Sequence, residues 1–314
     1  MGVGRTNPVY LPKTLMSPLL IVGSTGTIGR SLLRFFAEKF SDQTHPVWGT
    51  TRHKHEANHG AIWLDLAQPE SFENLRGHFF RVAIICAAVT SQKACQENYA
   101  ASYAINVSNT VELAKYLIDS GVFVIFLSSN AVFDGTIPFV EATQCVNPQT
   151  AYGQQKAKAE QGILSLNSDR VAVVRLSKVL DEQFSLFHGW IKNLRCGLPI
   201  HPFEDLYFAP ISAQFAAYLL FKVALRQVGG IIQASAIMDI SYSEVAYYLA
   251  KNMHLDLDII KPVSCQNQGV IHVPRHTTLN TDFIQGIGID PPHPWRVIDE
   301  LFIDAGILRY GRIP

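Results

Sequence analysis

The stretch that decides the fold is Leu19-Leu20-Ile21-Val22-Gly23-Ser24-Thr25-Gly26-Thr27-Ile28-Gly29. Its first four residues are apolar, which is typical of a strand buried on both faces of a parallel sheet. Apolar residues then recur at helical spacing at Ile28, Leu32, Leu33, Phe36 and Phe40. This order of strand, glycine-rich turn and amphipathic helix predicts the first unit of an α/β fold.

The three glycines of this turn leave room for a ligand. Positions without side chains let a pyrophosphate approach the backbone amides at the N-terminus of a helix. The residues predicted to bind it are Gly23, Ser24, Thr25, Gly26, Thr27, Ile28 and Gly29. Their spacing, Gly-x-x-Gly-x-x-Gly, differs from the Gly-x-Gly-x-x-Gly of the standard dinucleotide fold, and a tight turn with a purely structural role is the alternative.

Further short apolar runs predict more buried strands. They lie near Pro46 to Gly49 and at Ala61–Leu64, Val82–Cys86, Val122–Leu127 and Val171–Ser177. Helical patterns separate them, so the predicted class is α/β, with a Rossmann-like doubly wound parallel sheet and a smaller C-terminal substrate lobe. We predict an N-terminal arm over residues 1–17, an NAD(P)-binding core over 18–180, and a mainly substrate-binding lobe over 181–314 whose segments can return to the core.

Composition excludes several classes of protein. Lys plus Arg and Asp plus Glu each number 26, so we expect no nucleic-acid partner. No apolar run approaches the roughly 18 residues of a membrane span. The five cysteines form no Cys-x-x-Cys pair, which favours a reducing, cytoplasmic location. His53, His55 and His59 lie in a loop-like stretch without a metal-binding motif, so no metal site is expected.

Tyr152 and Lys156 are four residues apart in the stretch Thr150–Glu160, whose composition predicts a helix. Both side chains would then project from one face, one turn apart. An ammonium beside a phenol stabilises the phenolate and lowers the pKa of the phenol, which suits a general acid/base pair. A solvated helix face with an incidental Tyr and Lys is the alternative.

The glycine turn resembles that of the short-chain dehydrogenase/reductase superfamily, in its extended branch. Leu127–Gly135 and Asn147–Tyr152 further resemble the corresponding segments of dTDP-4-dehydrorhamnose reductases. This resemblance implies that Ser129, Tyr152 and Lys156 are the catalytic residues, and that Asn106 supports the site. Three residues differ from that reductase pattern. Asn130-Ala131 replaces an acid and an aromatic residue, and Lys178 stands where a Trp is frequent.

Arg52 ends the second predicted strand, where enzymes of this fold distinguish NAD from NADP. An Arg there accommodates a 2′-phosphate, so NADP is the predicted cofactor and NAD the alternative. The other interpretation of Arg52 is an ordinary surface Arg at the end of a strand, with no role in cofactor binding. By resemblance, Asp65 and Leu66 lie against the adenine, and Ala87 and Ala88 form the nicotinamide-side turn. Tyr152 and Lys156 complete the predicted cofactor contacts.

The resemblance implies NADP-dependent reduction of a keto group on a nucleotide-linked sugar. Tyr152 would protonate the oxygen, Ser129 would hydrogen-bond to it, and Lys156 would hold the cofactor ribose. A nucleotide-sugar epimerase uses the same three residues and is one alternative. A catalytically silent regulatory subunit, resembling the β subunit of methionine adenosyltransferase, is another. The expected partner is a small keto substrate, with a homodimer as a further option and no membrane partner.

Overall fold

The computed structural model describes residues 18–39, 47–58, 60–166, 169–268 and 270–304. The predicted N-terminal arm over residues 1–17 lies outside the described residues, as does His59. The division of the rest of the chain at residue 180 stays a prediction.

The strands of the described residues are short and mostly buried. They are β1 Leu19–Val22, β2 Val47–Thr51, β3 Ala61–Trp63, β4 Val82–Ile85, β5 Phe123–Ser129, β6 Val171–Leu176, β7 Val179–Leu180, β8 Tyr207–Phe208, β9 Ile211–Ser212, β10 Gly230–Ala234 and β11 Ile240–Ser241. Seven of these strands form a parallel sheet in the order β10-β6-β5-β4-β1-β2-β3. The predicted Rossmann-like doubly wound sheet is therefore confirmed.

Helices cover both faces of this sheet. Among the described residues they are α1 Thr27–Lys39, α2 Gln92–Glu97, α3 Tyr99–Tyr103, α4 Asn109–Asp119, α5 Ala151–Leu164, α6 Ser185–Arg195, α7 Ala213–Arg226, α8 Tyr242–Asn252, α9 Asp282–Gly286 and α10 Pro294–Asp304. One face packs against α1 and α7, and the other against α4 and α5. Because both faces are covered, the strands of the sheet are mostly apolar, as the sequence predicts.

Helices α6, α8 and α10 form a second lobe with its own apolar core. This core joins α6, α8 and α10, with Phe187, Trp190 and Leu249 among its buried side chains. Helix α8 begins with a capping box, in which Ser241 and Glu244 each bond to the other's backbone amide. Strand β10 comes from beyond residue 180, yet it forms an edge of the central sheet beside β6.

The segment between β4 and β5 forms a series of helices and not one continuous helix. It consists of α2, α3, a π-helical turn at Ala104–Ser108, and α4. The wider turn contains Asn106, whose amide accepts a bond from the Val89 amide and donates one to the Val89 oxygen, at 2.8 and 2.9 Å. π-helical turns are frequent at functional sites, and this one ties the helix to the loop after β4.

Candidate active site

The site lies at the carboxyl edge of the sheet, where β1 pairs with β2 on one side and β4 on the other. Sheets of this kind bind ligands at such a reversal of strand order. The turn after β1 meets the turn after β4 there. Gly23 has a φ of +85°, and a Cβ atom at this position would lie 2.7 Å from the Ala87 nitrogen. A side chain at Gly23 would therefore separate the two turns.

Different physical constraints explain why a glycine stands at each of the three positions of the turn. A Cβ atom at Gly29 would lie 2.3 Å from the Gly23 oxygen, so Gly29 is required for packing. At Gly26 a Cβ atom would make only an ordinary contact of 3.5 Å, and this glycine is exposed. Packing explains Gly23 and Gly29 but not Gly26. The absent side chain at Gly26 leaves the outer face of the turn open to an approaching group.

Helix α5 places Tyr152 and Lys156 as the sequence predicts. The Thr150 side chain caps the helix by accepting a bond of 3.1 Å from the Gly153 amide. Lys156 is 4% exposed, and its Nζ atom donates a bond of 2.7 Å to the main-chain oxygen of Leu127. Its ammonium also lies 4.6 Å from the centre of the Phe126 ring. Tyr152 is half-buried and, like Lys156, lines a cavity at this edge of the sheet. The structure therefore does not support a purely solvated helix face.

Burial shifts the pKa values of both side chains. Burial lowers the pKa of Lys156 to about 8, against the opposing effect of the Glu160 carboxylate. Burial raises the pKa of Tyr152 to about 12, although a hydrogen bond with Ser129 partly opposes this. The sequence predicts a lowered pKa for Tyr152, and the direction found is the opposite. Desolvation of the phenol outweighs the expected effect of Lys156, whose ammonium is bonded to Leu127.

Two adjacent serines end β5. Ser129 Oγ accepts a bond of 3.2 Å from the Ala131 amide and lies 3.3 Å from Asn130 Oδ1. Ser128 is 6% exposed, and its hydroxyl has no hydrogen-bond partner among the described residues. Sequence reasoning missed Ser128, because a lack of partners is visible only in three dimensions. A buried hydroxyl without a partner is costly, and a ligand at the end of β5 would supply one.

A network of hydrogen-bonded side chains joins α5 to the preceding helical segments. Asn106 donates a bond of 2.8 Å to Gln155 Oε1, and Gln155 donates one of 2.8 Å to Ser102 Oγ. Gln155 precedes Lys156, so this network fixes the helix at the position of the lysine. The supporting contact predicted for Asn106 is thus present.

Glu160 and Arg175 form a buried ion pair beneath the site. Their side chains are 4% and 3% exposed, and Arg175 bonds both carboxylate oxygens, with an Nη2–Oε2 distance of 2.7 Å. Sequence reasoning assigned Glu160 no role. The available signals were a carboxylate one turn after Lys156 and an Arg within an apolar strand.

The adenine-side residues of the prediction lie farther along the same edge. Arg52 is exposed at the end of β2, and none of the ion pairs found among the described residues includes it. Asp65 follows β3, where its Oδ1 accepts a bond of 2.9 Å from the Ala67 amide. Leu66 is buried. These three residues follow the ends of neighbouring strands, but their assignment to a cofactor stays a prediction.

A cavity of about 540 Å³ opens between this edge and the second lobe. Of the predicted site residues, it is lined by Thr27, Ile28, Ser129, Tyr152 and Lys156. The others do not line it: Gly23, Ser24, Thr25, Gly26, Gly29, Arg52, Asp65, Leu66, Ala87 and Ala88. Segments 206–208 and 270–277 contribute to the opposite wall, which no sequence motif indicated.

Known proteins resemble the chain over most of its length. The model of the RmlD substrate binding domain family matches residues 16–305. The chain belongs to this family. Among curated relatives, Methionine adenosyltransferase 2 subunit beta of Xenopus tropicalis is 25% identical, over 88% of this chain and 84% of the relative. The dTDP-4-keto-6-deoxy-D-glucose reductase of Streptomyces niveus is 23% identical, over 88% and 93%.

Solved structures of the family have the same fold. The dTDP-4-dehydrorhamnose reductase of Bacillus anthracis, solved in complex with NADP, matches with a TM-score of 0.79 and 18% identity. The match covers 91% of this chain and 98% of that structure. Membership in the RmlD substrate binding domain family confirms the resemblance to extended short-chain reductases.

The described residues contain neither a candidate membrane span nor a candidate metal cluster. None of their helices is long and apolar enough to cross a membrane. Within the same ranges, no three His, Cys, Asp or Glu side chains are grouped as metal ligands would be.

Proposed function

We propose that this protein uses NADPH to reduce a keto group on a nucleotide-linked sugar. The observation that carries the proposal is the meeting of Ser129, Tyr152 and Lys156 in one cavity wall, beside the glycine turn. A hydroxyl, a phenol and an ammonium at the carboxyl edge of such a sheet are suited to donating a proton to a carbonyl oxygen. Relatives named as reductases of deoxy keto-sugars support the class of substrate.

The residues present fit a dinucleotide. Gly26 leaves the outer face of the turn open, and the amides at the start of α1 favour a phosphate there. Arg52 at the end of β2 would bind the 2′-phosphate of NADP, with NAD as the alternative cofactor. Asp65, Leu66, Ala87 and Ala88 would lie along the rest of the dinucleotide, and Lys156 would bind its ribose. When bound, the cofactor supplies a hydride.

Each residue of the trio has its own part in proton delivery. A phenol is protonated at neutral pH, and burial raises the pKa of Tyr152 further, to about 12; the protonated phenol is the form that donates. Ser129 adds a neutral hydrogen-bond donor for the same substrate oxygen. The ammonium of Lys156 stabilises the negative charge that develops on the phenol oxygen as its proton leaves.

Oxidation of NADPH in the presence of nucleotide-linked 4-keto-sugars tests this proposal. We expect the absorbance of the reduced cofactor to fall with at least one thymidine- or uridine-diphosphate sugar, and the reduced sugar to be found by mass spectrometry. The matched control is Tyr152→Phe, which keeps the ring. Binding of NADPH without turnover of any such sugar would contradict the proposal.

The epimerase alternative stays a prediction, and the same assay addresses it. An epimerase would interconvert two sugars without net consumption of the cofactor. The structural match does not distinguish these reactions, because proteins of one fold perform different chemistry.

A regulatory role is the second candidate, favoured by the relatives named Methionine adenosyltransferase 2 subunit beta. In this case the protein would form a stoichiometric complex with the catalytic subunit of a methionine adenosyltransferase. Copurification of the two chains and a changed rate of the catalytic subunit would support it. If the protein forms this complex and reduces no nucleotide-linked sugar, the regulatory role replaces the proposed reductase function. Homodimer formation and a cytoplasmic location remain further expectations.

A further inference from the structure

Lys178 is a cation inside the cavity of the candidate site, and no acidic side chain of the described residues forms an ion pair with it. Its side chain lines the cavity and is exposed there. The main chain on both sides is fixed: the Ser177 amide bonds to Ala234, and the Lys178 oxygen accepts a bond of 2.9 Å from the Ile211 amide. Its ammonium lies 5.1 Å from the centre of the Phe184 ring. The backbone of Lys178 is therefore anchored while its ammonium faces the cavity.

The charges around Lys178 favour an anion. The cations that line the cavity within the described residues are Lys156 and Lys178, and this lining includes no Asp or Glu. His276 also lines the cavity, and its ring is paired with the Asp239 carboxylate behind it at 3.3 Å. Lys156 is already bonded to Leu127. No described carboxylate forms an ion pair with Lys178, and burial by the cavity walls lowers its pKa although the side chain is accessible. A cation in a concave, partly desolvated place is strengthened as an anion-binding group.

The sheet register places Lys178 close to the reacting end of the substrate. Leu176 is the register partner of Ser129 on the neighbouring strand, and Lys178 follows two residues later. Neighbouring strands are ~4.8 Å apart, and each residue advances ~3.3 Å. Lys178 therefore follows closely after the residue that pairs with Ser129, and the two side chains line the same cavity. A carboxylate on the carbon next to the keto carbon would be within reach of the Lys178 ammonium. The diphosphate of a 4-keto-sugar is attached on the opposite side of the sugar ring and would be farther away.

We propose that Lys178 is a specificity residue that binds a carboxylate next to the keto carbon, so that the preferred substrate is a nucleotide-linked keto-uronic acid. This inference rests on the proposed reduction of a nucleotide-linked sugar. Within that class, it selects sugars with a carboxylate over those with a neutral hydroxymethyl or methyl group at the same position.

Binding of stable sugar nucleotides tests the inference without turnover. Calorimetry with NADP present would compare UDP-glucuronic acid with UDP-glucose, and the two thymidine-diphosphate counterparts with each other. Each pair differs only in the carboxylate. We expect the acid to bind ~10-fold or more tightly than its neutral counterpart, the scale of one charge-assisted hydrogen bond. Lys178→Met should remove this preference and leave binding of the neutral sugars nearly unchanged.

Two further variants complete the experiment. Lys178→Arg keeps the charge and should keep most of the preference, and Lys192→Met, at an exposed position of α6, should change nothing. Equal weakening of both members of a pair by Lys178→Met would show that Lys178 binds the shared diphosphate, and this would overturn the inference. Equal affinity of the parent protein for both members would do the same. If none of the four compounds binds, the nucleotide-sugar function itself is wrong, and the inference with it.

Discussion

Lys156 donates a hydrogen bond of 2.7 Å to the main-chain oxygen of Leu127, two residues before Ser129 in the same strand. The strand that presents the serine hydroxyl therefore also anchors the ammonium. A displacement of β5 relative to α5 would stretch this bond. This bond explains how a helix and a strand can hold three polar side chains in one arrangement before any ligand binds.

Burial of Lys156 should make the stability of the protein depend on pH. Its pKa is about 8 in the folded protein and 10.5 at its ordinary value, so the unfolded chain holds the proton more strongly. The free energy of unfolding of the parent, relative to Lys156→Met, should therefore rise between pH 8 and 10.5, by up to roughly 3 kcal/mol. Urea denaturation at a series of pH values measures this difference. Lys158→Met, an exposed lysine of the same helix, should show no such trend.

Tyr152→Phe should abolish proton delivery and preserve the fold. The ring keeps its packing, so thermal stability and NADPH affinity should stay close to those of the parent. Turnover of a keto-sugar should fall by about 100-fold to 10,000-fold, the usual contribution of a positioned acid. Single-turnover hydride transfer measures the chemical step directly. A variant that reduces its sugar at the parent rate would exclude Tyr152 as the acid.

Local sequence patterns predict much of this site. The glycine turn and the spacing of Tyr152 and Lys156 each occupy one short stretch, so their geometry follows from one turn or one helix. Ser129 is predictable because the end of a buried strand marks the sheet edge. The sign of the pKa shift of Tyr152 is not predictable in this way. It depends on how much protein surrounds the phenol, and a spacing of four residues contains no information on burial.

Arg52→Ala should distinguish the two nicotinamide cofactors. Arg52 is exposed at the end of β2, where a 2′-phosphate would lie in the proposed complex. Loss of a charge-assisted contact should weaken NADPH binding by about 1 to 3 kcal/mol and leave NADH binding nearly unchanged. Fluorescence titration of both cofactors measures this. Arg76→Ala, which removes an exposed arginine beyond the site, is the control. Equal losses for both cofactors would contradict the assignment.

The parts of the site that the sequence does not predict join distant segments. The opposite wall of the cavity comes from residues 206–208 and 270–277, which have no motif of their own. Lys178 is visible in the sequence as a departure from a reductase pattern, but the absence of an ion pair between it and any described carboxylate depends on the packing of the second lobe. Such features can be recognised only in the tertiary structure, because they depend on which distant segments are in contact and which side chains lack a contact.

Glu160→Gln should strongly destabilise the protein, although Glu160 does not line the cavity. The change keeps the size of the side chain but removes the charge that compensates Arg175, whose guanidinium is 3% exposed. Removing one partner of a buried ion pair leaves the other charge buried, at a cost of about 3 to 5 kcal/mol in the free energy of unfolding. Glu300→Gln breaks the exposed pair with Arg296 and should cost less than about 0.5 kcal/mol. Urea denaturation of both variants at neutral pH makes the comparison. A similarly small loss in the free energy of unfolding for both variants would show that the bonds of Arg175 to Ala142 and Gln233 alone compensate its buried charge.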